Sequence, residues 1–378
     1  MQIDFHFHRP AMALNMVDAI EGRSLTNASA GLFLFAPRRT GKTTFILGDV
    51  VPALENRGYL CLYIDLWSDK TKAADAMLRE AIAAKMKPRD GVIQKVGKAI
   101  GVSKFGLPGG TSLEVAKPEA SGVASIPDAL QALIAASQLS IVVIVDEAQH
   151  ALTTDSGSAM LFALKSARDT INAQQGNILK LIMTGSSRDK LGYLVLNKQQ
   201  PFFGAGISEL PHLDMDFIEA FTAKKNELLE DNEKLLAKDV YDAFQLTGYR
   251  PEKLESIIGE VVSYGRGPML GQYLRDAASA IHKTISNEAK EAIQPLSAIQ
   301  KGVLMIMAKE GNGFTPFSES TITRCAAIVG KNVTTANIQK ALDALRKKDF
   351  VWKSSYGQYA INDEMIRRSL LEDLLEIV

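Results

Sequence analysis

Gly31-Leu-Phe-Leu-Phe-Ala-Pro-Arg-Arg-Thr-Gly-Lys-Thr-Thr44 decides the fold. The apolar run from Gly31 to Phe35 reads as a buried strand that breaks at Ala36-Pro37; the chain resumes at Thr43 as a helix through Thr44, Phe45, Ile46 and Leu47. Between them, Ala36, Pro37, Arg38, Arg39, Thr40, Gly41, Lys42 and Thr43 fit the phosphate-binding P-loop, with alanine in place of its first glycine. The spacing has a physical basis. Successive backbone N–H groups and the free N–H groups of a helix start face a polyphosphate. Gly41 lets the main chain approach closely, Lys42 reaches the β- and γ-phosphates, and the Thr43 hydroxyl can ligate Mg²⁺. The plain alternative is a chance Gly-Lys-Thr turn.

A second stretch counts against chance. Ile141-Val-Val-Ile-Val-Asp-Glu-Ala-Gln-His150 opens with five consecutive β-branched residues, the mark of a strand buried on both faces. Asp146 and Glu147 then emerge at its carboxyl end, where open α/β sheets bind ligands. Asp146 is placed to hold Mg²⁺, directly or through water, and Glu147 to activate the water that attacks a γ-phosphate. A solvated acidic turn is the competing reading for this stretch alone. His150, just past the pair, either couples partner binding to Glu147 or simply starts a helix.

Residues 1–200 alternate strand-like runs (32–35, 59–66, 140–145, 179–184) with helical patterns such as 72–85 and 159–173. This rhythm implies right-handed crossovers and a mainly parallel sheet covered on both faces. The Gly-, Pro- and Ser-rich stretch 101–121 interrupts it as a loop or short hairpin. From 214 to 286 the pattern is helical and charged. Beyond Gln294-Pro295, helices over 298–309, 318–329 and 335–347 precede two alternating runs, 350–353 and 358–361, with a turn at 354–357; this is the order of a winged helix. The expected organisation is an α/β P-loop core over 1–210, a small helical lid over 211–290 and a winged helix over 291–378.

These motifs resemble the AAA+-related ATPases, and within them the archaeal-type ATPase family close to the STAND and origin-recognition initiator groups. The resemblance covers nearly the whole chain. Besides the P-loop (Walker A) and the acidic strand end (Walker B), it rests on Phe7-His-Arg-Pro10, Leu181-Ile-Met-Thr-Gly-Ser-Ser187, Pro201-Phe-Phe-Gly204 and Leu246-Thr-Gly-Tyr-Arg-Pro251. It implies ATP and ADP as ligands with Mg²⁺, hydrolysis of ATP, and catalytic roles for Lys42 and Glu147. Thr184 or Ser186 would orient the attacking water. Arg188 would contact the γ-phosphate or complete a neighbouring subunit's site, or else be a loop arginine paired with Asp189. Arg250 would sense phosphate or face solvent, and Pro251 would shape the adenine pocket. Phe7, Arg9 and Pro10 would flank the base, or Phe5 and Phe7 would be plain core residues. Three features depart from the family pattern: Ala36, the Arg38-Arg39 pair inside the loop, and the lack of a Gly-x-Arg lid motif, which leaves ring assembly an open question.

On 335–347, Ala336, Ile338, Ala341, Leu342 and Leu345 are expected to be buried, with Thr335, Gln339, Lys340, Asp343 and Lys347 outside. Residues 293–361 carry nine Lys or Arg against four acids, an excess of five positive charges. Such a local excess suits phosphate contacts, and Lys331, Asn332, Thr335, Lys340, Lys347 and Lys353 are the candidate DNA-contacting residues. A protein-docking role for the same unit is the alternative, in a nucleotide-regulated scaffold that oligomerises with itself and binds a protein effector.

Composition bounds the rest. The 378 residues carry 43 basic and 43 acidic side chains, so no global field favours nucleic acid or anionic membrane. Cys61 and Cys325 have no metal-ligand spacing, and no apolar run approaches the roughly 20 residues that span a bilayer. A cytoplasmic protein with no signal peptide is expected. His6 and His8, two apart, share one face of a terminal strand; with no carboxylate cluster visible nearby, they read as ordinary polar residues.

Overall fold

The computed structural model describes residues 5–25, 28–69, 71–86, 104–106, 112–114, 125–186, 188–264, 269–353, 359–363, 366–367 and 369–371. Five strands, β1 (Leu32–Phe35), β2 (Tyr59–Asp65), β5 (Ser140–Asp146), β6 (Leu179–Gly185) and β7 (Ile207–Glu209), form one parallel sheet in the order β2-β5-β6-β1-β7. Between β2 and β5 lies a separate antiparallel hairpin, β3 (Lys104–Gly106) with β4 (Ser112–Glu114). It falls within the stretch read as loop or short hairpin.

The sheet strands are apolar throughout because both faces are covered. Alternate residues serve opposite cores. Phe33, Phe35, Ile141, Val143 and Val145 face α4 (Ala74–Lys85), α5 (Ile126–Ser137) and α6 (Asp155–Gln175). Leu32, Leu34, Val142 and Ile144 face α1 (Pro10–Glu21) and the helical run that follows the loop. That run is α2 (Lys42–Phe45), a π turn over Ile46–Val50 and α3 (Val51–Asn56). Its widened register coincides with Pro52, which has no N–H to return to a carbonyl one turn back.

After β6 come α7 (Arg188–Leu196), β7 and four helices: α8 (Met215–Asn226), α9 (Ala237–Leu246), α10 (Pro251–Tyr264) and α11 (Leu270–Ile293). Phe217, Phe221, Phe244, Leu254, Ile257 and Leu274 close their shared core. The 24 residues of α11 run on from there, so that Ile293 sits in the next core, three residues beyond the expected boundary at 290.

That last core gathers α12 (Ala298–Glu310), α13 (Glu319–Val329), α14 (Thr335–Lys347) and the antiparallel pair β8 (Val351–Lys353) and β9 (Tyr359–Ile361). Ser297, Ser318 and Thr334 cap the three helices, and Gln300 and Asn337 return bonds to complete capping boxes. The expected turn at 354–357 lies outside the described residues. Ile338, Ala341, Leu342 and Leu345 form the buried stripe of α14, whereas Ala336 is exposed, because two residues from Ile338 it lies on the opposite face of the helix. Gln339 and Asp343, expected to point outward, are half-buried and bonded to each other at 3.0 Å. This unit touches the sheet domain through β8 and α7, where Lys190 Nζ lies 2.7 Å from Asp349 Oδ2. Among the described residues, no helix is long and apolar enough to cross a membrane.

Candidate functional site

The carboxyl ends of β1, β5 and β6 converge. Gly41, with φ of 86°, turns the chain from the loop into α2, and no side chain caps the helix start there. Its first N–H groups are therefore available to an anion. A Cβ on Gly41 would meet nothing within 4 Å, so the glycine answers to backbone conformation rather than crowding. Ala36 is buried, Pro37 accepts the Thr40 hydroxyl at 2.8 Å, and Thr44 is exposed on α2.

Lys42 projects from α2 between the strand ends. Its ammonium bonds Asp146, donates to Thr184 Oγ1 at 3.0 Å and lies 3.3 Å from Glu147 Oε1. Asp146 also accepts from the hydroxyls of Thr184, Thr43 (2.7 Å) and Tyr63 (3.0 Å). Burial pushes the Asp146 carboxyl up, but the Lys42 ammonium and these donors outweigh it and hold the group below its usual range. Burial, reinforced by Asp146, pushes the Tyr63 phenol well above its own, so it remains a donor.

Glu147 takes the left-handed conformation (φ 54°), which turns the chain from the strand into a 3-10 turn over Ala148–Thr153. Its carboxylate accepts from Ser186 Oγ at 2.6 Å and from the Gln149 amide. Arg38 donates to Ser186 at 3.3 Å and lies over Trp67, whose ring lies tilted against that of His150 with centroids 4.3 Å apart. Arg39, also left-handed (φ 66°), reaches Glu252 in the first turn of α10. The two loop arginines, whose direction the sequence leaves open, thus face different neighbours.

Other candidates sit further out. Arg188 pairs with Glu209 at 2.8 Å, and its guanidinium lies over Phe35. The partner is therefore Glu209, brought close by the β1–β7 pairing; the Asp189 side chain lies outside what is described. Arg9 donates to the Pro211 carbonyl at 3.2 Å and covers Phe45, while Pro10 opens α1. Phe5 and Phe7 pack edge-on or tilted against Phe217, in the core of α8–α11. Arg250 is half-buried beside Pro251, the first residue of α10. Lys331, Asn332, Thr335, Lys340 and Lys347 are exposed; Lys353 is half-buried over Tyr359.

Sequence reasoning assigned no role to Tyr63 or Gln149. Gln149 is buried, and Gly185 is what admits it: a Cβ there would lie 2.4 Å from Gln149 Oε1. A glycine ending a buried strand opposite a polar residue was the available signal. Tyr63 had only its position near the end of an otherwise apolar strand.

No known protein-family profile matches the sequence, and no curated protein matches it. Solved structures do. The chain is similar to the Walker-type ATPase of Pyrococcus abyssi at 20% identity, covering 98% of this chain and 97% of that one with a TM-score of 0.56. It is also similar to the ORC2 protein of Aeropyrum pernix, at 16% identity in both the ADPNP–ADP complexes (98% of each chain, TM-score 0.53) and the ADP form (98% and 97%, TM-score 0.55). The likeness is one of fold: a five-stranded parallel α/β sheet followed by helical units.

Proposed function

We propose that the protein is an ATP-binding and ATP-hydrolysing switch. One observation carries the reading: Lys42, Thr43, Asp146, Glu147, Thr184 and Ser186, from two strand ends and one helix start, meet within hydrogen-bonding reach. ATP lies along the loop from Ala36 to Thr43, its polyphosphate facing the uncapped N–H groups of α2. Lys42 binds the β- and γ-phosphate oxygens. The Thr43 hydroxyl and Asp146 carboxylate, 2.7 Å apart, fit the hard oxygen ligands that Mg²⁺ takes. The ion supplies charge neutralisation at the phosphates when bound.

Glu147 accepts the proton of the attacking water, which Thr184 or Ser186 orients. Ser186 and Gln149 hold the Glu147 carboxylate, so its reach toward water depends on releasing those bonds. Arg188 and Arg250 are the candidate phosphate-sensing residues. Arg250 is the better placed, because Glu252, two residues on, already touches the loop arginine Arg39. Arg9 and Pro10 remain candidates for the base-binding edge; Phe7 serves the helical core.

The C-terminal unit, read as a winged helix, is the output. Its exposed Lys331, Asn332, Thr335, Lys340 and Lys347 suit double-stranded DNA. The Gln339–Asp343 pair and the contact of β8 with α7 favour a second reading, in which this unit answers the nucleotide site by docking on protein, within the chain, on another copy or on an effector.

Turnover assays separate these readings. Lys42→Ala is expected to abolish tight ATP binding, and Glu147→Gln to bind ATP while hydrolysing it at least about 100-fold more slowly. Equal turnover by Glu147→Gln and wild type overturns the role of that glutamate. Stimulation by duplex DNA, lost steeply with salt, supports the DNA output; no binding at low salt favours the protein output.

A further inference from the structure

Residues 5 to 8 divide their side chains between two units: Phe5 and Phe7 enter the α8–α11 core, whereas His6 and His8 turn to Asp49 in the π turn. We propose that His6, His8 and Asp49 bind a divalent transition metal, Zn²⁺ by the chemistry of the donor set, and so clamp the segment before α1 to the helix that follows the phosphate loop. His6 Nε2 lies 3.3 Å from Asp49 Oδ2 and His8 Nδ1 lies 2.9 Å from Oδ1. The three ligand atoms lie within 4.8 Å of one another, the one such group among the described residues. Two imidazoles and one carboxylate suit Zn²⁺; Mg²⁺ and Ca²⁺ take oxygen.

The surroundings fit a site rather than a chance contact. The Asp49 side chain is only 3% exposed, and a carboxylate so buried requires partners. The Arg9 N–H donates to Asp49 Oδ1 at 3.1 Å and orients the carboxylate, while the Arg9 guanidinium turns away to Pro211 and Phe45. The His6 ring occupies space that any other residue at 48 would fill: a Cβ on Gly48 would lie 2.2 Å from His6 Cε1. Pi turns recur at functional sites, and this one carries both Gly48 and Asp49. His8 is 64% exposed, which gives an ion its entry and leaves room for water to complete a tetrahedral set. Coordination through His6 Nε2 and His8 Nδ1 places the ring protons on His6 Nδ1 and His8 Nε2. The resulting clamp joins the loop helix to a segment anchored in the lid by Phe5 and Phe7.

The test uses the untagged full chain, stripped with chelator and titrated with Zn²⁺ by calorimetry and with Co²⁺ by visible absorption. One equivalent per chain, with the strong absorption bands of low-coordinate Co²⁺ and a raised melting temperature, is expected. His8→Ala should melt like wild type in chelator and bind about ten-fold or more weakly, the least that losing a ligand should cost when losing a supporting contact costs that much. Gly48→Ala displaces only the end of the His6 side chain, favours helix, and should also weaken binding. Asp146→Asn, in the Mg²⁺ candidate site, should bind Zn²⁺ like wild type. Absence of stoichiometric binding, or equal affinity in wild type, His8→Ala and Gly48→Ala, overturns the proposal and leaves a hydrogen-bonded cluster.

Discussion

Arg39 joins the loop before α2 to the helical unit of α8–α11: its Nε lies 3.6 Å from Glu252 Oε2 in the first turn of α10. Both side chains are more than half exposed, so the pair contributes on the order of 0–1 kcal/mol to stability. Its consequence is positional, because it ties the loop to the helix that begins just after Arg250.

Arg39 also holds a left-handed backbone, which costs a non-glycine residue about 1–2 kcal/mol. Arg39→Gly removes that strain and the weak pair together, while adding freedom to the unfolded chain. Its expected stability is within about 1 kcal/mol of wild type in thermal or denaturant unfolding. A loss above about 2 kcal/mol would mean that the pair matters far more than its exposure allows.

Asp146 sits below its usual carboxylate range in the folded chain, against an ordinary value of 3.8. Its contribution is thus present above pH 3.8 and is lost as pH falls through the lower folded value. Asp146→Asn is expected to destabilise at pH 7 by no more than about 3 kcal/mol, the low end for a broken buried pair, since Glu147 still faces Lys42. The difference between wild-type and variant melting should shrink as pH drops below about 3.8. A difference independent of pH would sink the assignment of charge to this carboxylate.

Gly157, in the first turn of α6, is required by close approach. A Cβ there would lie 2.4 Å from the Ala151 carbonyl oxygen and 2.8 Å from its Cα, and backbone cannot swing aside as a side-chain tip does. Gly157→Ala is expected to cost about 1–3 kcal/mol in chemical denaturation. Because the 3-10 turn it presses on carries Gln149, nucleotide turnover should change with it; unaltered stability would show that the approach is not tight.

Cys61, on β2, is buried, and burial, with Glu55 adding, pushes its thiol up to about 12. Between its ordinary value of 9.0 and about 12 the unfolded chain ionises and the folded one does not, so stability falls as pH rises through that window. Cys61→Ala should flatten this slope. Neither Cys61 nor Cys325, also buried, should react with a thiol reagent at pH 8 until denaturant is added.

Local motifs were legible because their chemistry is contiguous. The strand, loop and helix of Leu32–Phe45, the acidic end of β5, and the order of helices and ribbon beyond residue 294 all declare themselves through periodicity and turn residues within short windows. β7 escaped notice because three residues at a sheet edge, Ile207–Glu209, carry no period. Its position mattered, since it supplies Glu209 to Arg188.

By itself, then, the sequence determined the α/β core, the loop between β1 and α2 and the carboxylates that end β5, because backbone conformation and burial follow from neighbours along the chain. Only the tertiary structure decided which groups share a site across distance: Tyr63 with Asp146, Gln149 with Ser186, Arg39 with Glu252, and above all His6 and His8 with Asp49, 43 and 41 residues away. Such pairs depend on how the sheet, helices and termini pack in three dimensions, and no spacing along a single strand or helix records that.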